Sequence, residues 1–210
     1  MGIVSITNGT IKADILTDVG GRIIFFGRID GENVLESDPT LWEETPEERI
    51  TPTPETLDFK AYNGHEVWVG PQSLWWKQQD LNENKRHSTL FWPPDPYISF
   101  GNYTILEQQN NKIIIESEKS PISGIVITKE IEINTTGKLH FTATIENIRT
   151  TAVEWDIWFV TRVNGHNLNF APINSPDEVT LSEPSHPYQG RPRYKTEEGF
   201  FSFTPLDKDP

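Results

Sequence analysis

The chain predicts an all-β fold, a sandwich of antiparallel sheets, and three observations carry that prediction. Hydrophobic residues recur with period two rather than 3.6, the connections between the alternating segments are short, and no long stretch of helical period occurs. The first alternating run is "GTIKADILTD", through Ile11, Ala13 and Ile15. The pattern returns in "KIIIESE" at Lys112 to Glu118, "GIVITKEIEIN" at Gly124 to Asn134, "KLHFTATIEN" at Lys138 to Asn147 and "AVEWDIWFVTRV" at Ala152 to Val163. Turn-forming residues separate these runs: "TDVGG" at Thr17 to Gly21, "IDGEN" at Ile29 to Asn33, "QQNNK" at Gln108 to Lys112, "NTTGK" at Asn134 to Lys138 and "IRTT" at Ile148 to Thr151. Connections this short suit antiparallel neighbours and are too short for a parallel crossover. Two stretches break the alternation. Residues Asp38 to Phe59 carry Pro39, Pro46, Pro52 and Pro54 among Glu43, Glu44, Glu47 and Glu48, which predicts a long surface excursion rather than a core strand. Gln78 to Pro96 combines the charged run "DLNENKRH" with a proline cluster and predicts a second long loop.

Composition bounds the organisation and the function. A chain of 210 residues with 35% hydrophobic content is long enough to bury a core without metal or disulfide staples, and the expectation is one domain over residues 1–210. The net charge of −13, from 31 acidic and 18 basic residues, argues against nucleic acid and anionic membrane as partners. Without cysteine there are no disulfides, zinc-thiolate sites or thiol nucleophiles. The N-terminal "MGIVSITNGTIKADIL" has neither a basic stretch nor an apolar run of signal-peptide length, and no segment approaches a membrane span, so a cytoplasmic protein is expected. No cofactor is expected. No metal is either, since no close histidine pair comes with a third ligand, although loop carboxylates leave calcium open.

The chemistry-bearing region is "GHEVWVGPQSLWW", Gly64 to Trp76, with "FWPPDPY" downstream. Four of the seven tryptophans, Trp68, Trp75, Trp76 and Trp92, fall there, interleaved with His65, Glu66, Gln72, His87 and Asp95. Flat indoles stack on the apolar faces of sugar rings while carboxylates, amides and imidazoles bond the hydroxyls, and long loops on a rigid β-scaffold are where such groups gather. The same indoles could instead fill the sandwich interior. The binding reading predicts that Trp68, Trp75 and Trp92 border one concavity with His65 and Gln72. His65 and Glu66 must point to opposite faces of a strand, so only one of the two can line it.

These residues carry a resemblance. "VGGRIIFFGRIDGENVL", Val19 to Leu35, resembles the N-terminal hairpin of galactose-mutarotase-like (aldose 1-epimerase-like) proteins. "WVGPQSLWW" followed by "WPPDPY" is similar, more narrowly, to an uncharacterised branch of that superfamily described as aldose-epimerase-like domains of unknown function, and "SGIVITKEIEIN" with the strands after it fits the same branch up to about Val163. The resemblance implies a β-supersandwich, here a shortened or partial version, with a sugar-sized groove on its concave face. It also implies a His general acid at the ring oxygen and a Glu general base at the anomeric hydroxyl. His65 and His87 stand in the region of the family histidines, and Arg22 matches the early arginine that binds ring hydroxyls. Trp68, Gln72, Trp75, Trp92 and Asp95 complete the implied sugar-binding set. Asp156 stands near the place of the later family histidine, and the C-terminal glutamate has no counterpart unless Glu183, Glu197 or Glu198 takes the role. The resulting expectation is a protein that binds a small carbohydrate, with weak or absent epimerase activity. An active mutarotase with a His acid and a non-catalytic interaction domain are the alternatives. Outside this set, His140 alternates along a strand, His166 in "VNGHN" lies in a turn-like connection at a strand end from which it could reach the groove rim, and His186 in a Pro-rich loop has no assigned role.

Overall fold

The structure, a computed structural model, describes residues 2–165, 169–180, 193–197 and 199–204. The chain forms two compact units, residues 1–163 and 164–210. The first contains β1 (Ile3–Thr7), β2 (Ile11–Leu16), β3 (Arg22–Arg28), α1 (Pro39–Trp42), β4 (His65–Gly70), α2 (Glu83–His87), α3 (Pro96–Phe100), β5 (Tyr103–Gln108), β6 (Lys112–Ser117), β7 (Ile125–Ile133), β8 (Leu139–Asn147) and β9 (Asp156–Thr161). They make a five-stranded sheet in the order β1-β2-β3-β4-β9 and a four-stranded sheet in the order β5-β6-β7-β8, antiparallel throughout. This is an all-β sandwich. The second unit holds β10 (Asn169–Pro172), β11 (Arg193–Glu197) and β12 (Phe200–Thr204), an antiparallel sheet in the order β10-β12-β11.

The period-two runs behave as the alternation predicts where one face of a strand meets the other sheet. β6 buries Ile113 and Ile115, β7 buries Ile131 and Ile133, and these pack against Ile6, Ala13, Ile15 and Ile23 of the first sheet. Full burial of each such side chain contributes on the order of 1.5–3 kcal/mol, an upper estimate because the unfolded chain is itself partly compact. A bulge in β3 shifts the register, so that Ile23 lies opposite Ile15 and Phe25 opposite Asp14. The extra residue, Ile24, brings Phe26 to the same face as Ile23.

The predicted surface excursion does more than cross the surface. It lays Leu41, Trp42, Ile50 and Phe59, all half-buried, against Leu16, Val19, Ile24, Tyr62 and Phe100 on the outer face of the five-stranded sheet. With α3 it covers that face locally, which is why Glu66 to Gly70 of β4 are buried on both sides. The "VGGR" turn has a steric explanation. Gly20 and Gly21 both have positive φ (69° and 52°). A Cβ on Gly20 would sit 2.3 Å from the Ser99 carbonyl oxygen, and one on Gly21 would sit 2.6 Å from the Tyr103 ring. Only glycine fits both demands. Among the described residues, no helix is long and apolar enough to cross a membrane.

Candidate aromatic site and the buried ion cluster

Strand parity sorts the side chains of β4. Glu66, Trp68 and Gly70 share one face, and their partners on β9 are Val160, Trp158 and Asp156. His65, Val67 and Val69 take the other face, opposite Thr161, Phe159 and Ile157. On the first face Trp68 is almost wholly buried, at 4% exposure, while the two indoles beside it, Trp92 at 43% and Trp158 at 41%, stay open to solvent. Both meet Trp68 edge to face, with ring centroids 5.9 Å and 5.7 Å away. Phe59 supports Trp92 from the excursion at 4.7 Å, and the Arg162 guanidinium lies 6.0 Å from the Trp68 ring. Trp68 Nε1 is buried without a hydrogen-bond partner.

Trp75 and Trp76 turn inward. Trp75 Nε1 donates to the Val69 carbonyl at 2.6 Å and Trp76 Nε1 to the Pro93 carbonyl at 2.7 Å, so both are satisfied core residues. Their packing leaves the crevice between Trp68, Trp75 and Asp95 without room for a water molecule. The expected concavity is therefore a surface: two open indoles around a buried third. Asp156 is exposed and lies across from Gly70, where a Cβ would meet nothing. Gln72 follows in the turn at Gln72–Leu74, half-buried.

On the Trp68 face of β4, two residues earlier in the strand, Glu66 belongs to a buried cluster of charge. Arg22, Glu66 and Lys129 are all buried. Arg22 Nη2 is 3.3 Å from Glu66 Oε2 and donates to the Ser99 carbonyl at 2.6 Å, while its Nε donates to the Val19 carbonyl at 3.1 Å. The pair is ionic rather than hydrogen-bonded, because Glu66 Oε2 lacks a partner in hydrogen-bond geometry, as do Arg22 Nη1 and Ser99 Oγ. The guanidinium also lies 5.1 Å from the Tyr62 ring centroid. Lys129 Nζ donates to the carbonyls of Gly20 (2.6 Å) and Gly21 (3.1 Å) and stands 4.3 Å over the Tyr103 ring. Burial first, then the Arg22 charge, pulls the Lys129 ammonium down to about 7, with Glu66 pulling the other way. The "VGGR" motif thus positions two carbonyls for Lys129 and one guanidinium for Glu66.

Residues 2–210 match the family described as Domain of unknown function (DUF4380). The chain belongs to that family. No curated protein and no solved structure matches it.

In this family member the structure gathers Trp68, Trp75 and Trp92, with Asp156 on the neighbouring strand, and separates the other residues expected beside them. His65 does not border the indoles. It points away from Trp68, toward the second sheet, where its ring centroid is 4.5 Å from that of Phe141 and its Nδ1 is 2.8 Å from Thr161 Oγ1. Parity decides this, since Trp68 is three residues from His65 and so lies on the opposite face. His87 is exposed at the end of α2. Arg22 is buried in the ion cluster, out of reach of a surface ligand. Asp95 is buried and caps α3, accepting from the Tyr97 N–H at 2.9 Å; its other oxygen takes the Ser120 and Ser123 hydroxyls and the Ser123 N–H. Glu197 is exposed on β11, and Glu183, Glu198, His166 and His186 lie outside the described residues. Among the described residues, no three His, Asp or Glu side chains gather as cation ligands. The sequence reading missed Trp158, which β9 places beside Trp68, and Lys129. Lys129 was readable as the lysine at an inward position of "GIVITKEIEIN", two residues from Ile127 and from Ile131.

Proposed function

We propose that this protein binds a small carbohydrate on the Trp92–Trp68–Trp158 face and is at most a weak aldose epimerase. The observation that carries this reading is the pair of solvent-open indoles flanking a buried one. Two partly exposed indoles are offered at the surface, with the Asp156 carboxylate on the strand of Trp158 to accept from hydroxyls. The sandwich fold and the motif resemblance support kinship with galactose-mutarotase-like proteins, and the acidic composition supports a ligand that is neither nucleic acid nor membrane. Catalysis is disfavoured by geometry. Acid–base ring opening needs two groups in reach of one anomeric centre. Here His65 and Glu66 point to opposite faces of β4, and Glu66 is committed to Arg22.

Titration with glucose, galactose and short oligosaccharides is expected to change tryptophan fluorescence saturably. Trp92→Ala and Trp158→Ala should each raise Kd by about tenfold, the equivalent of about 1.4 kcal/mol. Anomer exchange followed by NMR should run no faster than in buffer. Enzyme-like exchange that collapses in His65→Ala or His87→Ala would establish a mutarotase instead, and fluorescence indifferent to every sugar would refute both.

A further inference from the structure

The opposite face of β4 opens into a cleft of about 460 Å³, within the range of about 300–1,000 Å³ usual for small-molecule sites. Its walls are Ile23 and Phe26, aligned by the β3 bulge, together with Leu35 and Leu139. Three polar side chains join them: His65, Thr161 and, from the turn between β7 and β8, Lys138. Among the described residues no acidic side chain lines the cleft, although the chain as a whole carries −13. Lys138 is exposed and is the one cation among the described lining residues, and the buried Lys129 adds positive potential at the His65 ring. The His65 ring has an unused group. Nδ1 meets the Thr161 hydroxyl at 2.8 Å, while Nε2 is buried and without a partner. An unpaired buried polar group destabilises the free protein, and a ligand oxygen accepting from it would remove that cost. In the tautomer in which the Thr161 hydroxyl donates to Nδ1, the ring proton sits on Nε2 and can be given to an acceptor.

We propose that this cleft binds a small amphipathic carboxylate, with its apolar body against Ile23, Phe26, Leu35 and Leu139 and its acidic end meeting His65 Nε2–H and the Lys138 ammonium. Charge complementarity selects the anion, since a neutral ligand leaves Lys138 unused and a cation is repelled by it. The site is separate from the aromatic face and does not depend on sugar binding.

The test uses the full chain and three probes of equal chain length, octanoate, octanol and octylammonium, followed by calorimetry and by NMR of the histidine ring nitrogens. Octanoate should bind saturably and at least tenfold more tightly than the other two, and it should shift the His65 Nε2 resonance. Lys138→Gln, at an exposed position, should weaken octanoate about tenfold and leave octanol unchanged. Leu139→Trp, checked for its fold by near-UV circular dichroism, should abolish binding of octanoate by filling the cleft, and Trp92→Ala should leave it intact. Absence of saturable octanoate binding, equal affinity for all three probes, an unmoved His65 signal, or a Lys138→Gln protein that binds octanoate as well as the parent would each overturn the assignment.

Discussion

Replacing Glu66 by alanine is expected to destabilise the protein by about 3–5 kcal/mol, read as a shift in the midpoint of urea unfolding. Two cations, Arg22 and Lys129, are buried around this single carboxylate, and both keep their hydrogen bonds to backbone carbonyls when it is removed. What is lost is the compensating charge, and an unpaired buried guanidinium cannot escape by deprotonation. The loss is comparable with the whole stability of many domains. Lys129 can respond, and this gives the deficit a pH signature. Its folded value, about 7, lies below the usual lysine range, so the unfolded chain binds more protons and stability rises as pH increases from about 7 toward 10.5. Above pH 7 Lys129 is neutral in the native protein and no longer draws on Glu66, so the Glu66→Ala deficit should be larger below pH 7 than above it. A double-mutant cycle with Arg22→Met should show a coupling of at least about 1 kcal/mol. Strictly additive losses, or a Glu66→Ala protein within about 0.5 kcal/mol of the parent, would mean that the cluster is not electrostatically organised.

The alternation in "KIIIESE" and "GIVITKEIEIN" was enough to read β6 and β7 because each buries one face only, and Ile113, Ile115, Ile131 and Ile133 fall on it. The same rule placed His65 and Glu66 on opposite faces of β4 but left open which face meets solvent, since the strand is covered on both. That depends on α3 and on the excursion at Asp38 to Phe59, whose prolines and glutamates mark it as irregular and give no sign of where Trp42 and Phe59 will pack. The indoles show the same limit. Composition cannot separate Trp75 and Trp76, which spend their N–H groups on backbone carbonyls, from Trp92 and Trp158, which remain open, because the distinction is set by loop geometry. The burial of Asp95 beneath Ser120 and Ser123 was not legible either, because those partners come from a distant part of the chain.

The second large effect is acid sensitivity originating at His65. Its ring packs against Phe141 and Phe159, which also touch each other, and burial, followed by the charge of Lys129, pushes it down to about 4 from an ordinary value near 6.5. A folded value below the unfolded one means that the unfolded chain takes up the extra proton. The stabilisation is therefore complete above about pH 6.5, declines as pH falls through the interval between the two values, and is gone below about pH 4. The difference corresponds to about 3 kcal/mol, at about 1.4 kcal/mol for each pH unit. Carboxylates titrate in the same range, including Glu48, whose backbone hydrogen bond to Thr45 holds it low, and they contribute to the raw acid profile. His65→Phe isolates the histidine, because those carboxylates titrate alike in both proteins and cancel in the difference. Between pH 7 and pH 4 the unfolding free energy of the parent should fall by about 3 kcal/mol more than that of the variant. Parallel curves would show that His65 is protonated in the native state without penalty, which its packing against two aromatic rings argues against.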